Sequence, residues 1–516
     1  MAKTLAYWPE TGLMLDWSGM DLDEAFLASM RGKIDDALAG MRELENGAIA
    51  NPDEGRMVGH YWLRAPSLAP TAGLRAEIED CLARVKDFAA RVRSGEVKTE
   101  KGDRFRRVIV AGIGGSSLGP MFVSEALRSP GDPMDLLFLD NTDPAGMDAV
   151  FSAVKGDLDA ALTIVISKSG GTIETRNCML EAKHCYEANG LSFAAHAVCV
   201  TGAGSKLDET AKAEGWLARF PMWDWVGGRT SVMSAVGLLP LALQGVDIDA
   251  FLAGAAACDA LGRATRPEEN PALLLALSWY RCTGGQGGST QVVLPYKDSL
   301  SLFAKYLQQL LMESLGKETD LDGAAVHQGL AVMGNKGTSD QHSYVQQLVA
   351  GPDNVFVTFL RVLRDREGPS IEVGENSTSG DYLNAFLLGT KQALEAHGKR
   401  TLLITVPTAD ADQIGQLIAL FERAVGLYAR MIRINAYHQP AVEYGKKAAG
   451  SLIALKNAAF EILRAEGRPM TAGQLAKRLH AAQRDVFSLL VHCAANDDRL
   501  SCDLCDPPEE STFAAK

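Results

Sequence analysis

Leu162-Thr163-Ile164-Val165-Ile166-Ser167-Lys168-Ser169-Gly170-Gly171-Thr172 carries an apolar run into a glycine turn crowded with hydroxyls. A helical pattern follows from about Ile173 to Ala188, and Gly190 is placed to close it. Strand, glycine turn and helix start together form the repeating unit of an open parallel sheet. The same unit can hold an anion. The first amides of a helix have no internal partners, and the helix dipole favours negative charge in front of them. Gly170 and Gly171 let the backbone come close to a ligand, Ser167, Ser169 and Thr172 offer hydroxyls, and Lys168 offers a cation. The stretch reads as a phosphate cradle. It lacks the GxxxxGK[ST] spacing of a nucleotide P-loop, and taken alone it also fits an ordinary strand-to-helix turn.

Working outward, the alternation of strands and helices continues on both sides. Phe105–Ala111 reads as a strand followed by the turn Gly112-Ile113-Gly114-Gly115-Ser116-Ser117-Leu118-Gly119. Leu137–Leu139 and Ala195–Val200 are further strands. Gln291–Leu294, Val355–Leu360 and Leu402–Val406 repeat the style, with helical patterns over about 300–315, 382–397 and 411–432. Strands separated by helices imply right-handed crossovers and parallel sheets, so the spacing predicts two α/β domains linked by residues 236–270. Residues before about Ala65 read as mainly helical and polar.

The chain has 516 residues, 47% hydrophobic and 22% charged, the composition of an ordinary globular protein of two or three domains. A formal charge of −13 argues against general binding to nucleic acid or anionic membrane, so an anionic substrate needs a local basic pocket. No apolar run reaches the ~18–20 residues of a membrane span. Met1–Asp16 shows no basic region followed by an apolar one, so no secretory signal is expected. Nine scattered cysteines fit reduced thiols and a cytoplasmic location. Cys502 and Cys505 form a lone CxxC, which falls short of the four ligands of a structural zinc site; no metal and no cofactor is expected.

Several further stretches carry chemistry-bearing side chains. Gly112–Gly119 matches a dinucleotide fingerprint only loosely; Ser116 fits a contact to sugar or phosphate as well as a capping role. Gly227-Gly228-Arg229-Thr230-Ser231 exposes backbone and aims a guanidinium, either at an oxyanion or at a carboxylate such as Asp224. In the helix over 300–315, Phe303, Leu307, Leu310 and Leu311 form the apolar stripe, and Glu313 sits beside it near the C-terminal end. The negative end of a helix disfavours a carboxylate, which is the tuning a general base for a carbon acid needs; a rim glutamate facing water is the plainer alternative. His342 lies in a polar loop where Asp340 is placed to orient it, and Lys446 closes the second α/β region.

Taken together, Gly112–Pro120, Ser167–Thr175, Asp224–Gly237, Lys305–Lys317, Gly337–Gln346 and Asn435–Lys447 resemble the glucose-6-phosphate isomerase family, in the family's order, from about residue 100 to 450. Asp224-Trp225-Val226-Gly227-Gly228-Arg229 and the residues after it are close to one family signature, with Thr230 where many members carry an aromatic. His438-Gln439-Pro440-Ala441-Val442-Glu443 departs from the commoner Asp-Gln-x-Gly-Val-Glu. The resemblance implies two doubly wound sugar-isomerase domains and a homodimer with shared active sites. It implies interconversion of glucose 6-phosphate and fructose 6-phosphate through a cis-enediol, without a metal, in glycolysis and gluconeogenesis. It implies that Ser167, Lys168, Ser169 and Thr172 hold the phosphate and that Gly114, Ser116, Gly228 and Gln439 line the sugar site. His342, from the neighbouring subunit, and Lys446 would assist ring opening, Glu313 would carry the proton between carbons, and Arg229 would stabilise the enediolate.

The domain boundaries expected on this reading are a helical N-terminal segment over 1–67, sugar-isomerase domains over 68–245 and 246–450, and a small helical appendage over 451–516. In the appendage Thr471-Ala472-Gly473-Gln474 is a capping box that opens a helix through Leu479, and another helix covers about Gln483–Ala494. A winged-helix-like appendage raises a different class of function, a sugar-phosphate-sensing regulator that reads DNA. Its bases are matched by at least as many acids, which argues against that. An isomerase for another hexose phosphate would share the fold.

Overall fold

The computed structural model describes residues 4–516. Its first sheet has five parallel strands in the order Asp135–Leu139, Arg107–Ala111, Ala161–Ser167, Ala197–Thr201, Ala218–Pro221. Every residue of Ala161–Ser167 is buried, because helices cover both faces of the sheet. The chain leaves Arg107–Ala111 to one side and returns to Ala161–Ser167 on the other. The strand order therefore reverses between these two, and ligands in open α/β sheets bind outside the strand ends at such a reversal. The turn after Ala111 and the turn after Ser167 both stand there.

The second sheet has the order Leu5–Trp8, Leu13–Gly19, Arg400–Val406, Val355–Val362, Thr290–Pro295, Ala331–Met333. Its last four strands are parallel, and the N-terminal hairpin joins their edge antiparallel, Leu15 opposite Ile404. The N-terminal segment is helical over Glu24–Glu45, but it begins as this hairpin rather than as helix. Leu13, Leu15 and Trp17 point into the core while Met14, Asp16 and Ser18 do not, the period of a half-buried strand.

The helix Ala411–Met431 is buried along almost its whole length, in a layer of helices with Glu24–Glu45, Ile248–Leu261 and Pro271–Thr283. It crosses the helix Ile248–Leu261 at backbone contact: a Cβ on Gly415 would stand 2.0 Å from the Phe251 carbonyl oxygen. Each fully buried leucine or isoleucine in this layer contributes roughly 1.5–3 kcal/mol. The same layer encloses charge. Arg64 donates to Asp259 from Nε at 2.6 Å and from Nη2 at 3.1 Å, and its Nη1 donates to Glu422; Arg423 Nε donates to Asp259 at 2.9 Å and its Nη2 to Glu45 at 2.5 Å.

Residues up to His438 form one compact unit and Gln439–Lys516 another. The second unit runs helix Val442–Glu466, strand Met470–Thr471, helices Ala472–Leu479 and Gln483–Asn496, and strands Leu500–Asp503 and Thr512–Ala515. That succession is winged-helix-like, and it adds a three-stranded antiparallel sheet to the helices expected there. The Thr471–Gln474 capping box is formed in both directions. The unit has its own core around Leu463, Leu475, Leu490 and Phe513. Among the described residues no helix is long and apolar enough to cross a membrane.

Candidate active site

Three loops meet at the strand reversal of the first sheet. A Cβ on Gly115 would stand 2.0 Å from the Gly228 carbonyl oxygen, so the Gly112–Ser117 turn and the Gly227–Ser231 turn touch backbone to backbone. Ser231 Oγ ties them by donating to the Gly115 carbonyl at 3.3 Å. A Cβ on Gly114, at φ +59°, would face the side-chain amide of Gln309 at 3.0 Å. Only glycines allow this approach. Ser116 is buried beneath the crossing.

The turn after Ser167 is closed by its own hydroxyls. Ser167 Oγ donates to Thr172 Oγ1 at 3.3 Å, and the Gly171 N–H donates to Ser169 Oγ at 3.2 Å. Thr201 Oγ1 donates to the Ser167 carbonyl at 2.6 Å and anchors the strand end. Thr172 is the N-cap of a 16-residue helix with no side-chain cap bond, so the helix amides stay open toward the turn. Lys168 turns toward the neighbouring loop, where its ammonium donates to the carbonyls of Asp224 and Val226, both at 2.9 Å. Burial, and then Arg56, pull Lys168 down to about 8, against the opposing pull of Asp224. The second sheet shows the same reversal of strand order, but its crevice is lined by Asp365 and Asp381 beside Arg361, which suits phosphate poorly.

Arg229 is the centre of the site. Its side chain is 5% exposed. Nε donates to Ser314 Oγ at 2.7 Å, Nη2 to the Ala436 carbonyl at 2.5 Å, and Nη1 to Glu313 Oε2 at 3.3 Å. Asp224, the other carboxylate the sequence offered it, faces Lys168 and Arg56 instead. Gln309 Nε2 donates to the same Glu313 oxygen at 3.3 Å. Burial pulls the guanidinium down from its ordinary value, and Glu313 opposes that pull.

The helix that delivers Glu313 is not regular. It is a 3₁₀ turn over Asp298–Leu300, α-helix over Phe303–Leu307 and π-helix over Gln308–Glu313. π-Helical turns are rare and gather at functional sites. Leu310 and Leu311 are buried while Glu313 is half-buried, so the wide turn pins its apolar side in the core and leaves the carboxylate at the rim of the cleft.

His342 ends the 3₁₀ turn Ser339–His342 and is exposed. Asp340 does not orient it. That carboxylate is buried and accepts the Asn335 N–H at 2.8 Å and the Tyr344 hydroxyl. Gln439 and Lys446 belong to the C-terminal unit, where Lys446 pairs with Glu443 at 2.9 Å. Among the described residues no group of three or more His, Cys, Asp or Glu side chains could hold a metal ion.

The sequence reading left out Gln309, Ser314, Lys317 and His438. Gln309 precedes Glu313 by four residues, a helical spacing that flags it, and Ser314 follows it directly. His438 stands where the family signature has Asp; its Nε2 lies 3.6 Å from Asp53, and burial lowers its basicity.

The phosphoglucose isomerase family model matches residues 17–401, three quarters of the chain. The chain belongs to the phosphoglucose isomerase family. It is 55% identical over 515 residues to a glucose-6-phosphate isomerase of Desulfitobacterium hafniense, covering 99% of this chain and 96% of that one. Over 511 residues it is 55% identical to that of Geobacter sulfurreducens, covering 98% and 97%. Among solved structures, a glucose-6-phosphate isomerase of Chlamydia trachomatis superposes with a TM-score of 0.78 at 27% identity, covering 87% and 89%. Membership of this family accounts for the two α/β sheets and leaves the DNA-reading regulator without support. In the C-terminal unit Arg468 and Arg478 both pair with Glu466, and Arg499 pairs with Asp497.

Proposed function

We propose that the chain interconverts D-glucose 6-phosphate and D-fructose 6-phosphate through a cis-enediol, the step shared by glycolysis and gluconeogenesis. The observation that carries this is the contact of Glu313 with buried Arg229, beside an anion-binding turn at the strand reversal. An aldose–ketose shift needs a base facing two adjacent carbons and a fixed cation at the neighbouring oxygens. Glu313 takes the proton from C2 of the open-chain aldose; the C2–H electrons form the C1=C2 bond, and the C1 carbonyl becomes an enediol oxygen held by Arg229. The same carboxyl returns the proton to C1, which takes it with the C1=C2 electrons, while the O2–H electrons form the ketone and the O2 proton passes to O1, leaving a C1 hydroxyl. Arg229 and Gln309 both donate to Oε2 of the carboxylate, and Oε1 takes the proton.

In this reading Ser167, Lys168, Ser169, Thr172 and the open helix amides hold the phosphate, and Gly114, Ser116, Gly228 and Gln439 line the sugar. His342 and Lys446 move the ring-oxygen proton when the pyranose or furanose opens, with His342 supplied by a second subunit of a cytoplasmic homodimer. The domain division we adopt is 1–67, 68–245, 246–450 and 451–516. The test is a coupled spectrophotometric assay with glucose 6-phosphate deuterated at C2. Fructose 6-phosphate should form, with label partly retained at C1 and partly exchanged into water. No isomerisation would overturn the reaction; full retention at C1 would overturn an exchangeable carboxyl carrier.

A further inference from the structure

We infer that Lys317 is a positioning residue for Glu313, clamping the end of the π-helical turn from which the carboxylate projects. The inference rests on Glu313 being the proton carrier. The turn ends at Glu313, and the chain leaves the helix at Gly316, whose N–H returns to the Met312 carbonyl at 2.9 Å. A continuing α-helix would give the Glu313 carbonyl the backbone N–H of residue 317. Here residue 317 opens the strand Lys317–Thr319, and its side chain supplies the donor instead: Nζ donates to the Glu313 carbonyl oxygen at 2.5 Å. A cation is also the charge that a helix C-terminus favours.

Lys317 is 7% exposed, which is uncommon for a lysine. Its surroundings explain its burial only in part. Glu313 and Asp53 favour its charge, while burial and Arg229 oppose it and draw it down to about 7; His438 is the other titratable neighbour. Packing alone would place an apolar side chain here at lower cost. What an ammonium adds is a fixed end to a wide, poorly bonded turn. That turn sets the reach of the carboxylate toward C1 and C2, where a misplacement of about 1 Å can cost about 10²-fold in rate.

The experiment compares Lys317→Met, Lys317→Arg and Glu313→Gln. The methionine variant should lose about 10²-fold in kcat. Its KM for glucose 6-phosphate and its inhibition by inorganic phosphate should stay within about 3-fold, since the clamp acts on the proton carrier and not on binding. Arginine should recover most of the loss, and n-propylammonium should partly revive Lys317→Ala if the methionine variant folds poorly. A methionine variant with wild-type kcat overturns the clamp. So does an equal loss in kcat and phosphate binding, which would mark general damage. Glu313→Gln separates the two readings: if it turns over normally, the proton carrier is wrong; if it is dead while Lys317→Met is fully active, only the clamp is wrong.

Discussion

At the scale of single residues the site combines one carboxylate, one buried guanidinium and two lysines of lowered basicity, Lys168 and Lys317. Glu313→Gln removes the proposed proton carrier while keeping shape and the Gln309 contact, so turnover should fall by at least ~10²–10⁴ with little change in KM. Near-normal turnover of the purified variant would place the base elsewhere. Lys168 gives a pH test. Its folded-state value lies near 8, below the ordinary 10.5, so its charge is present below about pH 8 and lost above it. A phosphate monoester is already doubly charged well below that, with its second pKa near ~6. KM for glucose 6-phosphate should therefore rise between pH 7 and 9, and Lys168→Gln should flatten the rise while raising KM throughout. A wild-type KM that is constant across this interval would remove Lys168 from phosphate binding.

Elements explain why some of this was legible in the sequence. The strand before Ser167, its turn and the helix Ile173–Ala188 were readable almost to the residue, because an uninterrupted apolar run, two glycines and an amphipathic helix signal in agreement. The Thr471 capping box was legible for the same reason. The strand Ala218–Pro221 was not, since it has four residues, one buried phenylalanine and a terminal proline. The segment over 300–315 looked like one α-helix. Apolar residues spaced three and four apart fit a π-turn inside an α-helix as well as they fit an unbroken helix, and only hydrogen bonding separates them. Lys317 escaped notice because a lysine just past a helix reads as solvated. The anion turn can be tested as an element. Ser169→Ala with Thr172→Ala should weaken glucose 6-phosphate and inorganic phosphate together, by ~1.5–3 kcal/mol for each charge-assisted bond lost. Calorimetry showing intact phosphate binding would move the cradle elsewhere.

At the scale of the whole molecule, subunit exchange tests the proposed shared site. If His342 comes from a partner, mixing inactive His342→Ala subunits with inactive Glu313→Gln subunits gives heterodimers with one site intact and one lacking both groups. Verified heterodimers as inactive as their parents would mean that the histidine acts within its own chain or takes no part. Within one chain, the buried cluster around Asp259 ties the N-terminal segment to the central helices. Arg423 and Arg64 hold Asp259 well below the ordinary carboxylate range, although burial pushes the other way. Its contribution to stability is therefore complete at neutral pH and fades only as the pH falls below about 4. Asp259→Asn should cost about 3–5 kcal/mol, because it removes the carboxylate that two buried guanidinium groups share and leaves Arg64 with Glu422 alone and Arg423 with Glu45 alone; an unchanged denaturation midpoint at pH 7 would contradict this. The strand Leu13–Gly19 has a different consequence, one of timing. Its partner around Ile404 follows about 390 residues later in the chain. At ~5–20 residues per second the ribosome needs roughly 20–80 s to deliver that partner. During synthesis the first strands to emerge, with Leu13, Leu15 and Trp17 on one side, are among the last to find their place, and a holding chaperone has the whole of that interval in which to bind them.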